Sequence, residues 1–289
     1  MQFKIIVLAK QVPDTRNVGK DAMKEDGTVN RAVLPAIFNP DDLNALEMAL
    51  EAKSKIAGAT LSIITMGPPR AASVIRESIF RGADNGYLLT DAQFAGSDTL
   101  ATSYALYKAI EKCKPDLIFC GVQAIDGDTA QVGPQVAEKM NIPQITYAEE
   151  LIDIDADKVK IKRRLERGVE TVEGNFPLLV TVHSSAAPCR FRNAKRLMKY
   201  KHARTVSEMQ DANSNQAELV KNRDYLQIEE WNAETVQANG DFLGLSGSPT
   251  KVKKIDSVVL TQKDSKVFSN ADAEVEQLVL ELLDSRVIG

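Results

Sequence analysis

The sequence predicts an α/β fold: a doubly wound parallel sheet with an added antiparallel ribbon and a long C-terminal arm that wraps a partner. Three observations predict it. Short apolar runs at 4–9, 60–66, 87–89 and 117–120 alternate with stretches of helical spacing, the pattern of parallel strands buried beneath helices. Loops suited to a nucleotide follow the first and the fourth of these runs. That fits a strand order of 3-2-1-4-5, in which strands one and four are neighbours and the crevice at their carboxyl ends takes the ligand. Beyond Glu150 the texture changes to the alternation of Lys158-Val-Lys-Ile-Lys-Arg-Arg164, which reads as antiparallel strand.

In order, the run at 4–9 is a first buried strand. The turn signal Asp26-Gly27 and residues 28–34 suggest a short hairpin arm. Asn39, Pro40, Asp41 and Asp42 open a helix with three agreeing signals: a capping residue, proline at the first helical position, and acids in the first turn. Leu43, Leu46 and Leu50 share one face. The second strand, 60–66, is followed by a helix at 70–80 with Val74, Ile75 and Ile79 as its core face and Gly82 as its stop. A third strand covers 87–89. Asp98 caps the next helix, which runs to Cys113. The fourth strand, 116–120, leads to a helix with Val132, Val136 and Met140 on one side. A fifth strand lies near Leu151. Residues 158–164, 168–173 and 178–182 are expected in the antiparallel ribbon. A helix is expected at 194–200, a polar and mobile or partner-dependent stretch at 207–222, a small-residue loop at 240–250, an edge strand at 258–260 and a closing helix at 271–283. The expected division is a nucleotide-binding domain with its ribbon over 1–190, and a partner-recognition segment and arm over 191–289. A disordered tail is the alternative to the arm.

The 289 residues suit one large domain with appendages. Apolar residues at 44% are enough for a core, and a net charge of −4 gives no global reason to expect nucleic acid. The charge is uneven, with seven basic residues and no acid between Arg190 and Arg204. Cys113, Cys120 and Cys189 form no C-x-x-C pair and read as thiols of a reducing compartment. Two histidines are too few for a metal cluster, so no metal site is expected. No basic–apolar leader pattern opens the chain and no run is long enough to span a bilayer. The expectation is a cytoplasmic protein that binds neither membrane nor nucleic acid.

The stretch 116–134 carries the chemistry. Strand, turn and helix follow one another, and backbone amides at such a helix start favour a phosphate. Gly127 and Gly133 would let a ligand approach the main chain. The plain alternative is an ordinary turn with Asp128 as the helix cap.

Gln123-Ala-Ile-Asp-Gly-Asp-Thr-Ala-Gln-Val-Gly133 resembles the adenine-nucleotide loop of the electron-transfer flavoprotein beta subunit. Val7-Leu-Ala-Lys-Gln-Val-Pro-Asp14, Asn39-Pro-Asp-Asp42, Gly168-Val-Glu-Thr-Val-Glu173, Pro177-Leu-Leu-Val-Thr181 and Leu243-Gly-Leu-Ser-Gly-Ser-Pro-Thr250 are similar to further motifs of that family and stand in its order. The resemblance covers 3–205 and 243–250. It implies a heterodimer with an alpha subunit that carries its own FAD. Simple members hold AMP in the beta site; electron-bifurcating members hold a second FAD there. The Asn39–Asp42 motif and Phe94-Ala-Gly-Ser-Asp-Thr-Leu-Ala-Thr-Ser103 resemble the bifurcating branch. The resemblance then implies that electrons from NADH divide between ferredoxin and a partner flavin dehydrogenase of the acyl-CoA, enoyl-CoA or lactate type. The flavin carries the redox chemistry, so no catalytic side chain is expected.

By the same resemblance Gln123, Asp126, Gly127, Asp128, Thr129, Ala130, Gln131, Val132, Gly133 and Pro134 bind adenosine and phosphates. Ala9, Asn39, Asp41, Met66 and Gly67 complete the pocket, and Asp98, Thr99 and Thr102 meet the polar edge of the flavin. Without it, Asp98 reads as a plain helix cap and Thr102 as a solvated or back-bonded helix residue. The acids Asp126 and Asp128 must face ribose hydroxyls or amides, because carboxylates repel phosphate. The basic segment falls where the family carries a partner-recognition loop, with Ala194 in place of its leucine anchor; a solvated surface is the alternative.

Overall fold

The computed structural model describes residues 2–14, 34–210, 214–250 and 265–288. The expected arm at 28–34 (all but Leu34) and the edge strand at 258–260 lie outside the described residues. The central strands are β1 (Lys4–Leu8), β4 (Thr60–Met66), β5 (Asn85–Leu89) and β6 (Leu117–Gly121). They are parallel, in the order β5-β4-β1-β6, as expected for strands 3-2-1-4. Between β1 and β4, β2 (Gln11–Pro13) and β3 (Ala36–Phe38) form a two-stranded antiparallel pair.

Helices cover both faces. On one lie α1 (Pro40–Lys55) and α2 (Ala72–Arg81). Leu46, Ala49 and Ile75 of these helices join Ile5, Val7, Ile63 and Phe119 in one core. On the other lie α3 (Thr99–Cys113) and α4 (Val132–Met140), with Ala105, Ile110 and Val136 packed on Ile6, Ile64 and Ile118. Successive strand residues point to opposite faces, so the strands carry apolar side chains on both.

Beyond β6 the structure departs from expectation in two places. After β7 (Gln144–Ile154) come β8 (Lys158–Leu165) and β9 (Gly168–Asn175), an antiparallel ribbon as predicted. The next strand, β10 (Leu178–Val182), is not part of that ribbon. It returns into the main sheet between β6 and β7, parallel to both, so the strand expected fifth stands one place further out. All five residues of β10 are buried, which suits a central strand and not a half-exposed ribbon.

The second departure lies after residue 190. Following α5 (Ala194–Tyr200), β11 (Arg204–Thr205), α6 (Val206–Gln210) and α7 (Ser214–Lys221), the strand β12 (Gln227–Trp231) extends the parallel sheet beside β5. The stretch expected to be mobile therefore contains two short helices, and Val220 is buried in the core. Tyr87 and Trp231 stack with ring centroids 4.0 Å apart. The closing helix α8 (Asp272–Asp284) forms as predicted but has no buried residue. No helix among the described residues is long and apolar enough to cross a membrane.

Candidate functional site

The carboxyl ends of β1 and β6 are held by two residues at the start of α1. Asn39 occupies the cap position, but its side chain does not cap the helix. Its Nδ2 donates to the Gln123 carbonyl at 2.8 Å, and its Oδ1 accepts from the Ile125 amide at 3.2 Å. It is fully buried, and these bonds satisfy its amide while locking the loop that leaves β6. Asp42 accepts from the Lys10 amide and from the Gly121 amide, each at 2.9 Å, so one carboxylate ties the two strand ends together. A side chain at Gly121 would meet Asp41 Cβ and Asp42 Oδ1 at 2.6 Å; glycine is required there by close packing of α1. Burial pushes the Asp42 carboxyl up to about 7, against the amides of Lys10 and Gly121 and the side chain of Asn39, which favour the charged form.

The loop itself is exposed at Gly127, Asp128 and Thr129. Open space surrounds Gly127 where a Cβ would stand. The left-handed backbone falls on Asp128 (φ 50°) and Ala130 (φ 51°), conformations that cost a residue with a Cβ about 1–2 kcal/mol. Asp128 does not cap α4; Gln131 holds that position without a side-chain bond. The first amides of α4 are therefore uncapped by a side chain. Of the two acids in the loop, Asp126 is neutralised: Lys10 Nζ donates to both its oxygens at 2.7 Å. Gly133 serves packing. A Cβ there would lie 2.8 Å from Cys120 Sγ and 2.9 Å from Thr181 Cγ2, so glycine lets α4 lie close on β6 and β10.

Thr99, at the start of α3, donates to Gln131 Oε1 at 3.0 Å and accepts from Gln135 Nε2 at 3.4 Å. Gln135 Oε1 is buried beside it with no hydrogen-bond partner. Asp98 is the cap of α3. Its Oδ1 accepts from the Leu100 and Ala101 amides, and its Oδ2 from the Thr250 amide at 3.0 Å. Burial pushes this carboxyl up, and the amides of Ala101, Thr250 and Leu100 outweigh it, holding it below the usual carboxylate range. The 243–250 loop thus packs on the start of α3; Gly244 approaches the Gln93 carbonyl so closely that a Cβ would lie 2.4 Å from it.

Of the predicted residues, Asn39, Asp41, Gln123 to Pro134 and Thr99 come together around this crevice. Ala9 lies at the end of β1, with its amide bonded to the Ile64 carbonyl. Met66 and Gly67 stand at the end of the next strand, β4, at the same sheet edge. Thr102 lies one turn inside α3, its amide bonded to the Asp98 carbonyl. Lys10 was missed, and Asp42 was expected at the crevice only as part of the Asn39–Asp42 motif, without a role of its own. Its sequence signal is a second acid in the first turn of α1; its burial appears only in the structure. Among the described residues no group of three or more His, Cys, Asp or Glu side chains could hold a metal.

The basic segment folds back on α1 and α2. Arg190 grips Glu47 through Nε and Nη2, and Arg192 pairs with Glu77. Burial pushes the Glu47 carboxyl up, but Arg190 more than offsets this and holds it low. Arg196 donates to the Ile79 and Ala83 carbonyls. Ala194 is exposed. Two apolar side chains also face outward: Phe191 is 94% exposed and Met198 61%.

A protein-family model described as the electron transfer flavoprotein domain matches residues 26–214. The chain is 41% identical to the electron transfer flavoprotein subunit beta of Thermoanaerobacterium thermosaccharolyticum, over 98% of this chain and 99% of that one. It is 40% identical to the subunit of the same name from Megasphaera elsdenii, over 99% and 100%. It is also 41% identical to the acryloyl-CoA reductase electron transfer subunit gamma of Anaerotignum propionicum, over 99% and 100%. With the doubly wound sheet, its antiparallel ribbon and the loop that Asn39 clamps, these likenesses place the chain in the electron transfer flavoprotein family, among the beta subunits.

Proposed function

We propose that this beta subunit binds FAD in the crevice between β1 and β6 and, together with an alpha subunit, takes electrons from NADH and divides them between ferredoxin and a partner dehydrogenase. The observation that carries the reading is the assembled loop 123–134. Its amides stand at an uncapped helix start, Gly127 is open, and Lys10 neutralises Asp126, a surface suited to the diphosphate of a dinucleotide. Asn39 holds the loop in shape, and Thr99 with Gln131 and Gln135 offers polar atoms beyond it. Bound there, a flavin supplies hydride acceptance and one-electron transfer. The chain binds, orients and shields it. The relative named for acryloyl-CoA reductase supports a reductase as the partner, and the outward Phe191 and Met198 beside α5 suit an apolar docking contact. Ala194 replaces the larger anchor that the family resemblance leads one to expect, so docking would rest on those two side chains.

Purification of the native complex tests the reading. Two flavins for each alpha–beta pair, with bleaching of the second on addition of NADH, is the expected result. One flavin with AMP in this subunit would make the chain a scaffold for the alpha-subunit FAD and overturn the proposal.

A further inference from the structure

We propose that Asp42 is the positioning residue of the crevice: it touches no ligand atom, but holds the ends of β1 and β6 at the spacing the 123–134 loop needs. This rests on the crevice being the nucleotide site. The argument is geometric. Asp42 is 6% exposed and both its oxygens are used, one on Lys10 N and one on Gly121 N. Lys10 in turn carries the side chain that grips Asp126 in the loop. Gly121 begins the stretch whose next backbone groups, Gln123 O and Ile125 N, are held by Asn39. A change at this one carboxylate therefore reaches both walls of the crevice.

The same carboxylate titrates near neutrality, because burial opposes its charge. The groups that face it are Asp41 on its own helix, Cys120 on β6, and Lys10 just past the end of β1, whose ammonium is turned to Asp126. None of these supplies a cation to the Asp42 carboxylate. A phosphate-bearing ligand placed above it adds negative charge, which favours the protonated form. Binding of such a ligand is then proton-linked.

The test uses the native complex stripped of nucleotide, with FAD as the probe, since its diphosphate does not titrate near neutrality. Affinity is measured from about pH 5.5 to 8.5 for the wild type and for Asp42→Asn. The expected wild-type affinity falls as pH rises, by about tenfold across the range. Asp42→Asn is expected to bind about tenfold more weakly at the acid end, since an amide accepts only one of the two N–H groups, and to lose the slope. A flat wild-type profile, or the same slope in both proteins, would overturn the proposal; a flat profile with tight FAD binding would do so while leaving the nucleotide site intact. If Asp42→Asn does not fold, a flat wild-type profile still overturns the proposal, and a slope kept in Lys10→Met supports it. Lys10→Met, which removes the ammonium but keeps the backbone amide, is expected to retain the slope, and loss of the slope there would assign it to the Lys10–Asp126 pair instead.

Discussion

Asn39 satisfies two backbone groups that lie 84 and 86 positions further along the chain. Asn39→Ala leaves both partly buried and unpaired, at a cost of about 1–3 kcal/mol. The expected outcome is a lower urea midpoint and loss of bound nucleotide, and an unchanged midpoint would show that water replaces both bonds. At Asp128 the left-handed backbone decides. Asp128→Ala removes a side chain that tolerates φ of 50° and should lower nucleotide content, whereas Asp128→Gly, free of that strain, should keep it. Equal losses in the two variants would point to the carboxylate instead of the backbone. Asp42 also sets a sign for stability. Its folded pKa, about 7, lies above the ordinary 3.8, so its contribution is fully present below 3.8 and is lost as pH rises through 7. The unfolding free energy of wild type minus that of Asp42→Asn, both without nucleotide, should therefore shrink by a few kcal/mol between about pH 4 and 8. A constant difference would count against a neutral, buried Asp42.

At the level of elements, helix signals were legible because they are local. Asp98 caps α3, Pro40 opens α1, and Gly82 ends α2 with φ of 138°. The same cues misled where a side chain served a distant group, as Asn39 does. Gly133 is an element-scale feature: it sets the distance between α4 and the strands β6 and β10. Gly133→Ala should overpack against Cys120 and Thr181 and cost about 1–3 kcal/mol, seen as a lower melting temperature. No change in melting would mean that α4 shifts outward, which nucleotide release would then report.

For the molecule as a whole, residues 203–210 and 214–243 join the sheet and both cores through Ala203, Val220, Ile228 and Trp231. Residues 265–288 carry no buried residue. There α8 leaves Val275, Val279 and Leu283 exposed, an apolar face that no described residue buries. Deleting 265–289 should leave the melting temperature of the isolated subunit unchanged and reduce recovery of the alpha subunit on co-purification. Destabilised isolated protein would show that the helix belongs to this domain.

By itself the sequence determined what depends on neighbouring residues. That covers the buried parallel strands, the helix starts and stops, the β8–β9 ribbon, and the loop after β6 with its motif. Only the tertiary structure decided where Leu178–Val182 and Gln227–Trp231 sit, and what Asn39, Asp42, Lys10 and Gly133 do. A strand's pattern records how deeply it is buried, not which strand lies beside it. In a parallel sheet the neighbour arrives by a crossover from far along the chain, and a buried polar side chain takes its role from whichever backbone groups that crossover brings within reach.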